Sequence, residues 1–487
     1  MTRSLERASY KATFTVLLLG VSAYALLQSL VLPVLRTIQH DLHTSQSAAT
    51  WVLTAYLLSA SVFTPILGRV GDMVGKERML VVTLAALALG SVVAGLAHSI
   101  GLMILGRVVQ GIGGAVVPLS FGIIRDEFPP AKVATGVGIV AAMAAVGGGA
   151  GIVLAGPIVS HLDYHWLFWI PLIITVIAAV CAHLLVPESP VRTPGRVSWL
   201  AAVLLSGWLV VLLVGVSQAP TWGWGSGKVI GLIALAIVVF VAWVMVESRS
   251  RQPLIDMKMM RGTAVWTNNL VAFLFGIGMY SVMAFLPEFL QTPRSAGYGF
   301  GADIIQSGLF LLPLTATMFL CGLLSGRIAA AIGSKSAVII GSIVSSGSYL
   351  ILAFAHAQAW EIYTASTLLG VGLGLAFSAM SNLIVQAVPP AQTGVASGMN
   401  ANIRTIGGAI GAAVMSSIVT SGLRADGLPA ASGYTTGFAF LAAMTVVATI
   451  AALFIPSATS ARADADHEPH LQNAELALLA GGTIAEG

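Results

Sequence analysis

Runs of about 20 apolar residues, each closed by a short polar turn, recur along the whole chain and leave little choice of fold. They fall at 13–35, 50–69, 79–97, 102–124, 134–158, 166–186, 197–217, 229–247, 265–287, 304–326, 336–356, 361–387, 397–421 and 434–455. About 20 helical residues cross the roughly 30 Å hydrocarbon core of a bilayer. A segment in lipid has no water to satisfy its backbone, so each run is predicted to be a helix. The chain is 57% apolar and only 9% charged, whereas a soluble domain carries about 25% charged residues. So few charges do not make a wetted surface, and the solvent is lipid. The architecture expected is all-α integral membrane, with both termini on one side because fourteen is even.

Lys and Arg orient the spans, since cytoplasmic loops are enriched in them. With the N-terminus inside, 17 of the 23 basic residues fall on the cytoplasmic side. Arg36, Lys228, Arg294 and Arg424 fall outside, while Arg107 and Arg404 lie within spans. Both termini are therefore expected in the cytoplasm, with the chain in the inner (cytoplasmic) membrane. The net charge of +4 sits in short loops and gives no reason to expect a nucleic-acid partner. Cys181 and Cys321 lie inside apolar runs, as packing residues rather than a disulfide. The first run has no small-residue cleavage site after it and reads as a retained helix. The tail from Ser457 shows almost no apolar periodicity and is expected to be disordered.

An internal repeat organises the spans. Gly68 and Gly75 recur as Gly326 and Gly333 at an offset of 258 residues, and Gly111 as Gly370 at 259. Pro129-Pro130-Ala131 recurs as Pro389-Pro390-Ala391 at 260. That offset covers about eight spans rather than seven, so the simplest partition is six, two inserted, then six. The expected units are a first half (1–190), an inserted pair with its cytoplasmic loop (191–262), a second half (263–456) and a tail (457–487). Two parallel six-helix halves facing a central cavity are suited to alternating access, one half rocking against the other.

Several motifs carry chemistry. The turn over residues 68–78 holds Gly68, Asp72, Gly75, Lys76 and Arg78. The fourth span begins Gly106-Arg107-Val108-Val109-Gln110-Gly111, with a cation and an amide about one turn apart. The fifth span carries Gly138, Gly147, Gly151 and Gly156-Pro157, small residues that let helices approach closely. The thirteenth span carries Asn400, Asn402 and Arg404.

Taken together the chain resembles the major facilitator superfamily over almost its full length, and specifically its fourteen-span drug:proton antiporter branch. The turn at Gly68, Asp72, Gly75, Lys76 and Arg78 is similar to that superfamily's loop between helices two and three, with Met73 and Glu77 where basic residues are usual. The resemblance implies a gate, because an ion pair made in one state and broken in the other supplies the differential energy a switch requires. The bland reading is a topogenic positive-inside loop. The resemblance likewise implies proton coupling for Arg107; the competing reading is an arginine snorkelling to the outer interface. The glycine spacing 138, 147, 151, 156 resembles the antiporter helix, with Ile152 replacing a proline and Ala155 a glycine. Arg404 resembles the polar start of the same helix in that branch and is assigned with Arg107 to coupling.

One element of the pattern is missing. The branch commonly places an aspartate in helix one where this chain has Leu27, and no acid lies in the middle of any run. Proton coupling normally uses a buried carboxylate whose pKa is raised by desolvation. Glu288, flanked by Phe285, Leu286, Phe289 and Leu290, is the best substitute, against a solvated loop acid as its plain reading. The expected cavity is lined by neutral polar and aromatic groups: Tyr24, Gln28, Trp51, Gln110, Asn268, Asn269, Asn382 and Asn402, together with Thr54, Tyr56, Tyr280 and Gln386. Such groups also serve as interhelical hydrogen bonds. His161, Asp163 and His165 form an outer polar turn rather than a metal site. No cofactor, metal or catalytic constellation is expected, and ATP hydrolysis in cis has no motif. The resulting expectation is a monomeric exporter of amphipathic organic compounds in exchange for protons. The alternatives are a proton-independent facilitator or a non-transporting membrane receptor.

Overall fold

The computed structural model describes residues 10–189, 198–250, 253–422, 424 and 428–456. Fourteen helices among these are long and apolar enough to cross a membrane. We number them α1 (Tyr10–Ser29), α2 (Gln46–Val74), α3 (Lys76–Gly95), α4 (Ile100–Glu127), α5 (Pro130–His161), α6 (Trp166–Leu185) and α7 (Trp199–Trp222). The rest are α8 (Gly227–Arg249), α9 (Thr263–Gln291), α10 (Ile304–Ile332), α11 (Ser334–Phe354), α12 (Ala359–Ala387), α13 (Thr393–Thr420) and α14 (Ala431–Leu453). The tail expected to be disordered lies outside the described residues.

Local chemistry sets the ends of these helices. Ser45, Ser99, Ser198 and Ser226 each accept a hydrogen bond from the backbone N–H three residues on, opening α2, α4, α7 and α8. Asp303 opens α10 through a reciprocal capping box with Gln306. The tight turns after α2 and α10 are made by Gly75 (φ 134°) and Gly333 (φ 79°), where a side chain would strain the backbone. The repeat seen in sequence is thus a repeat of turn geometry.

Two boundaries differ from expectation. The first run was predicted through residue 35, but α1 stops at Ser29 and gives way to a 3-10 turn, Leu32–Val34, and a short helix, Leu35–Asp41. Pro33 is the cause, because it lacks the N–H that would bond the Ser29 carbonyl. At the other boundary α2 continues to Val74, so Asp72 stands in a last helical turn rather than in a loop. Inside α4 a 3-10 segment, Ile112–Ala115, marks Gly113-Gly114: Gly113 meets Leu87 of α3, and Gly114 meets α2, where a Cβ would sit 3.1 Å from that of Ala60.

Helix α6 packs against α1, α3 and α5, and α3 against α4, in one group; α9 and α11 each pack against α12 and α14 in a second group at the other end of the chain. Two seams join these groups: α5 against α10 and α12, and α2 with α4 against α13. Helix α7 lies on the second seam, touching both α2 and α13, and carries α8 on its other face. The link after α8 is pinned by Glu247, whose carboxylate accepts from the Leu254 and Ile255 amides at 3.0 and 3.3 Å.

The predicted glycine helix, α5, uses two faces. Gly147 and Gly151 meet α1, where the Ser29 hydroxyl donates to the Gly147 carbonyl at 2.8 Å. Gly138 and Gly149 meet α10, their missing Cβ atoms making room for Ser325 and Thr315. Ala142 and Thr135 of α5 enter the matching gaps at Gly322 and Gly326 of α10. Gly156 is half-buried and Pro157 exposed, inside a helix that runs on to His161. Gly138→Leu is expected to wedge this seam apart, because its side chain would overlap Ser325 and come against Ser378. The protein should still insert, with transport lost, as read by membrane yield and flux on the same preparation.

Candidate functional site

The turn over 68–78 packs against the start of α13. Asp72 is fully buried, and its carboxylate accepts from the Gly394 and Val395 amides at 3.3 and 3.1 Å. Those amides belong to the first turn of α13, where N–H groups lack helical partners and the helix dipole favours an anion. Close approach depends on glycine, since a Cβ on Gly68 would lie 2.7 Å from the Gly394 carbonyl oxygen. Lys76, also fully buried, bridges Asp72 at 3.8 Å and Asp126 at 2.5 Å. Arg78 pairs with Glu188 at 3.2 Å and is largely exposed.

Arg125 makes the complementary contact. Its guanidinium donates to the Val388 carbonyl at 2.7 Å and to the Thr393 hydroxyl at 2.9 Å. Val388 is the C-cap of α12, where carbonyls are unsatisfied and a cation is favoured. These contacts set an anion on a helix N-terminus and a cation on a helix C-terminus. Side-chain charges come from one group of helices, bare helix ends from the other. Arg125, Asp126, Glu188 and Thr393 were not among the residues singled out for the gate. The available signal was Arg125-Asp126 directly before the Pro129-Pro130 landmark, whose counterpart at 385–386 is the uncharged Val385-Gln386.

Arg107 is not a snorkelling arginine: none of it is exposed. Its Nε donates to the Val52 carbonyl at 3.0 Å, and one terminal nitrogen donates to Leu27 O at 3.0 Å and Gln110 Oε1 at 2.7 Å. The guanidinium also lies over the Tyr56 ring, 4.1 Å from its centre. Gln110 passes the network to the Ser91 hydroxyl at 2.9 Å. The amide of Gln110 is thus spent on Arg107 and Ser91, away from the expected cavity role.

A small central cavity lies between the two helix groups as two lobes that share part of their lining. Val117, Ala144, Tyr280 and Arg404 belong to both lobes. Tyr24, Gln28 and Asn402 line the larger one, as expected. Tyr24 stacks on Tyr56 with ring centres 6.3 Å apart, and Gln28 reaches across to the Tyr280 hydroxyl at 3.4 Å. Among the described residues no acidic one lines either lobe.

Other expected cavity residues are placed elsewhere. Asn268 donates to the Met380 carbonyl at 3.0 Å, and Asn269 accepts from Asn400 at 2.8 Å, so both hold helices together. Trp51 packs against the apolar cluster that includes Leu205 and Trp208 of α7. Asn382 lines a separate space of about 210 Å³ beside Cys321 and Ser325. Glu288 is exposed at the far end of α9, next to Tyr434, rather than buried among its apolar neighbours. Helical periodicity turns Leu286, Phe289 and Leu290 inward and leaves Glu288 on the outer face.

The chain matches the model of the Major Facilitator Superfamily over residues 17–412 and again over 269–480, and it belongs to that superfamily. The second match begins within α9. It is 28% identical over 413 residues to a tetracenomycin C resistance and export protein of Streptomyces glaucescens, covering 84% of this chain and 76% of that one. It is 26% identical over 425 residues to multidrug resistance protein 3 of Bacillus subtilis, covering 86% and 81%. The crystal structure of the human organic anion transporter TETRAN shares the fold, with a TM-score of 0.66 at 16% identity, over 91% of this chain and 99% of that one. The protein is a multi-pass membrane transporter of this superfamily.

Proposed function

We propose that this transporter exports amphipathic organic compounds from the cytoplasm by alternating access, the halves 1–190 and 263–456 rocking about the central cavity. The pair within 191–262 rides on the seam between them. The observation that carries the reading is a cavity walled by both halves and shut at one end by contacts that cross between them. Each such contact joins a charged side chain to a helix end, so separation of the halves exposes both partners to water rather than stranding either in lipid. Names of the relatives support drug and antibiotic compounds as the cargo class. The placement of Lys and Arg supports a cytoplasmic position for the latched end.

Proton antiport is the coupling implied by the resemblance, with Arg404 in the cavity wall, Arg107 behind it and the two-faced α5 at the seam. A second reading, proton-independent export, is favoured by cavity walls that carry no carboxylate. Inverted vesicles separate them. Cargo-triggered release of protons from acid-loaded vesicles supports antiport. Cargo uptake untouched by a protonophore supports the second reading, and absence of any flux removes export altogether. Glu288→Gln is expected to change the flux less than twofold, given its exposed position; loss of coupling in that variant would restore Glu288 to the mechanism.

A further inference from the structure

The cavity has an unbalanced charge. Arg404 faces both lobes, and its guanidinium lies 5.1 Å from the centre of the Phe377 ring. Among the described residues it has no carboxylate partner and no hydrogen bond to protein. A second cation stands behind the wall: Arg107 lies on Tyr56, Tyr56 on Tyr24, and Tyr24 lines the larger lobe. A cation inside a span is costly unless something compensates it, and an aromatic face compensates only part of a full charge. Nothing acidic in the walls supplies the rest.

Asn402 supplies the independent observation. It is 2% exposed, it lines the same lobe, and among the described residues neither its amide nitrogen nor its amide oxygen has a partner. A buried amide with both groups unused is a costly feature that a ligand's carbonyl or hydroxyl would satisfy. The remaining walls are flat or apolar: Tyr24, Tyr280, Phe377, Val117 and Ala144. We propose that the cavity takes aromatic monoanions, with a carboxylate or phenolate of the cargo on Arg404, a polar substituent on Asn402 and fused rings between Tyr24 and Tyr280. This rests on the export reading and specifies its cargo.

The assignment also accounts for the missing coupling acid. An anion leaving a cell that is negative inside moves downhill by about 2.3 kcal/mol per 100 mV. A loaded cavity then carries one positive charge fewer than an empty one, so the potential acts more strongly on the empty carrier and draws it back toward the cytoplasmic side. A proton is not needed to drive such a cycle.

The test uses three fluorescent probes of one size: anthracene-9-carboxylate, anthracene-9-methanol and 9-(aminomethyl)anthracene. Binding is measured on purified protein in lipid nanodiscs, with protein-free nanodiscs as the blank. The carboxylate is expected to bind about tenfold or more tighter than the alcohol, and the amine weakest, because a charge-assisted pair forms only with the anion. In Arg404→Gln the preference for carboxylate over alcohol should fall about tenfold, while Arg404→Lys keeps most of it. Size-exclusion profiles show whether each variant is folded. In proteoliposomes a valinomycin potential positive on the receiving side should speed flux of the carboxylate. Equal or tighter binding of the amine, an unchanged ratio in folded Arg404→Gln, or binding of none of the probes would overturn the assignment. Flux of the alcohol or amine without the carboxylate would overturn it too, while leaving export standing; absence of flux for all three would count against export itself.

Discussion

Asp72→Asn is expected to leave the protein folded in the membrane and to lower its transport rate about tenfold or more. Two backbone amides at the start of α13 point at the carboxylate, and hydrogen bonds to a charged group are worth roughly 1.5–3 kcal/mol each. Asparagine keeps one carbonyl oxygen but turns an NH2 group toward the other amide. It also removes the negative charge that the helix dipole favours. A loss of about 1.4 kcal/mol from the latched state is a tenfold change in its population. Lys76 retains Asp126 at 2.5 Å, so the local fold has its ion pair after the substitution. Two readouts check the result. Flux in inverted vesicles should drop, and a cysteine at Ala396, buried in the latched state, should label faster with a membrane-impermeant maleimide. Unchanged flux together with unchanged labelling would return the turn to a purely topogenic role.

How much of this was legible depends on which physical signal a residue leaves in sequence. Spans were legible because hydrocarbon thickness imposes a length, and that length survives any detail of packing. The turns were legible because Gly75 and Gly333 adopt positive φ, a demand that few other residues meet. The latch was half legible. Asp72 stands out as an acid beside an apolar run, but its partners are backbone amides of Gly394 and Val395, which leave no side-chain signature. The same reason explains why Asp72 has the uncharged Ala330 as its counterpart at the repeat offset. The second half contributes helix ends where the first contributes charges. Within the cavity, the polar residues could not be sorted by type. Asn269 and Asn402 read alike in sequence, yet one bonds Asn400 and the other has both amide groups free. Glu288 was misjudged because its flanks are apolar in sequence but lie on another face of the helix.

Arg107→Ala is expected to cost stability before it costs coupling. Leu27 is among the last four residues of α1, whose carbonyls have no partner within the helix. Arg107 supplies that partner and sets a positive charge at the helix C-terminus, where the dipole favours it. It also holds the Val52 carbonyl of α2, so one side chain of α4 ties three helices together. Alanine would strand Leu27 O and Gln110 Oε1 and open a hole beneath Tyr56, a combined loss of about 3 kcal/mol or more. The sharper variant is Arg107→Lys. Lysine keeps the charge but not the fork, and its single nitrogen does not reproduce bonds aimed at Val52, Leu27 and Gln110 together. A role in holding the three helices predicts that Arg107→Lys melts several degrees lower in detergent and that the fraction still folded transports with its coupling intact. A role in proton coupling predicts the reverse, a normal melting temperature with cargo flux detached from the proton gradient. Thermal melting and the vesicle assay on one preparation decide between them. The three backbone and side-chain partners, with no acid among them, favour the first.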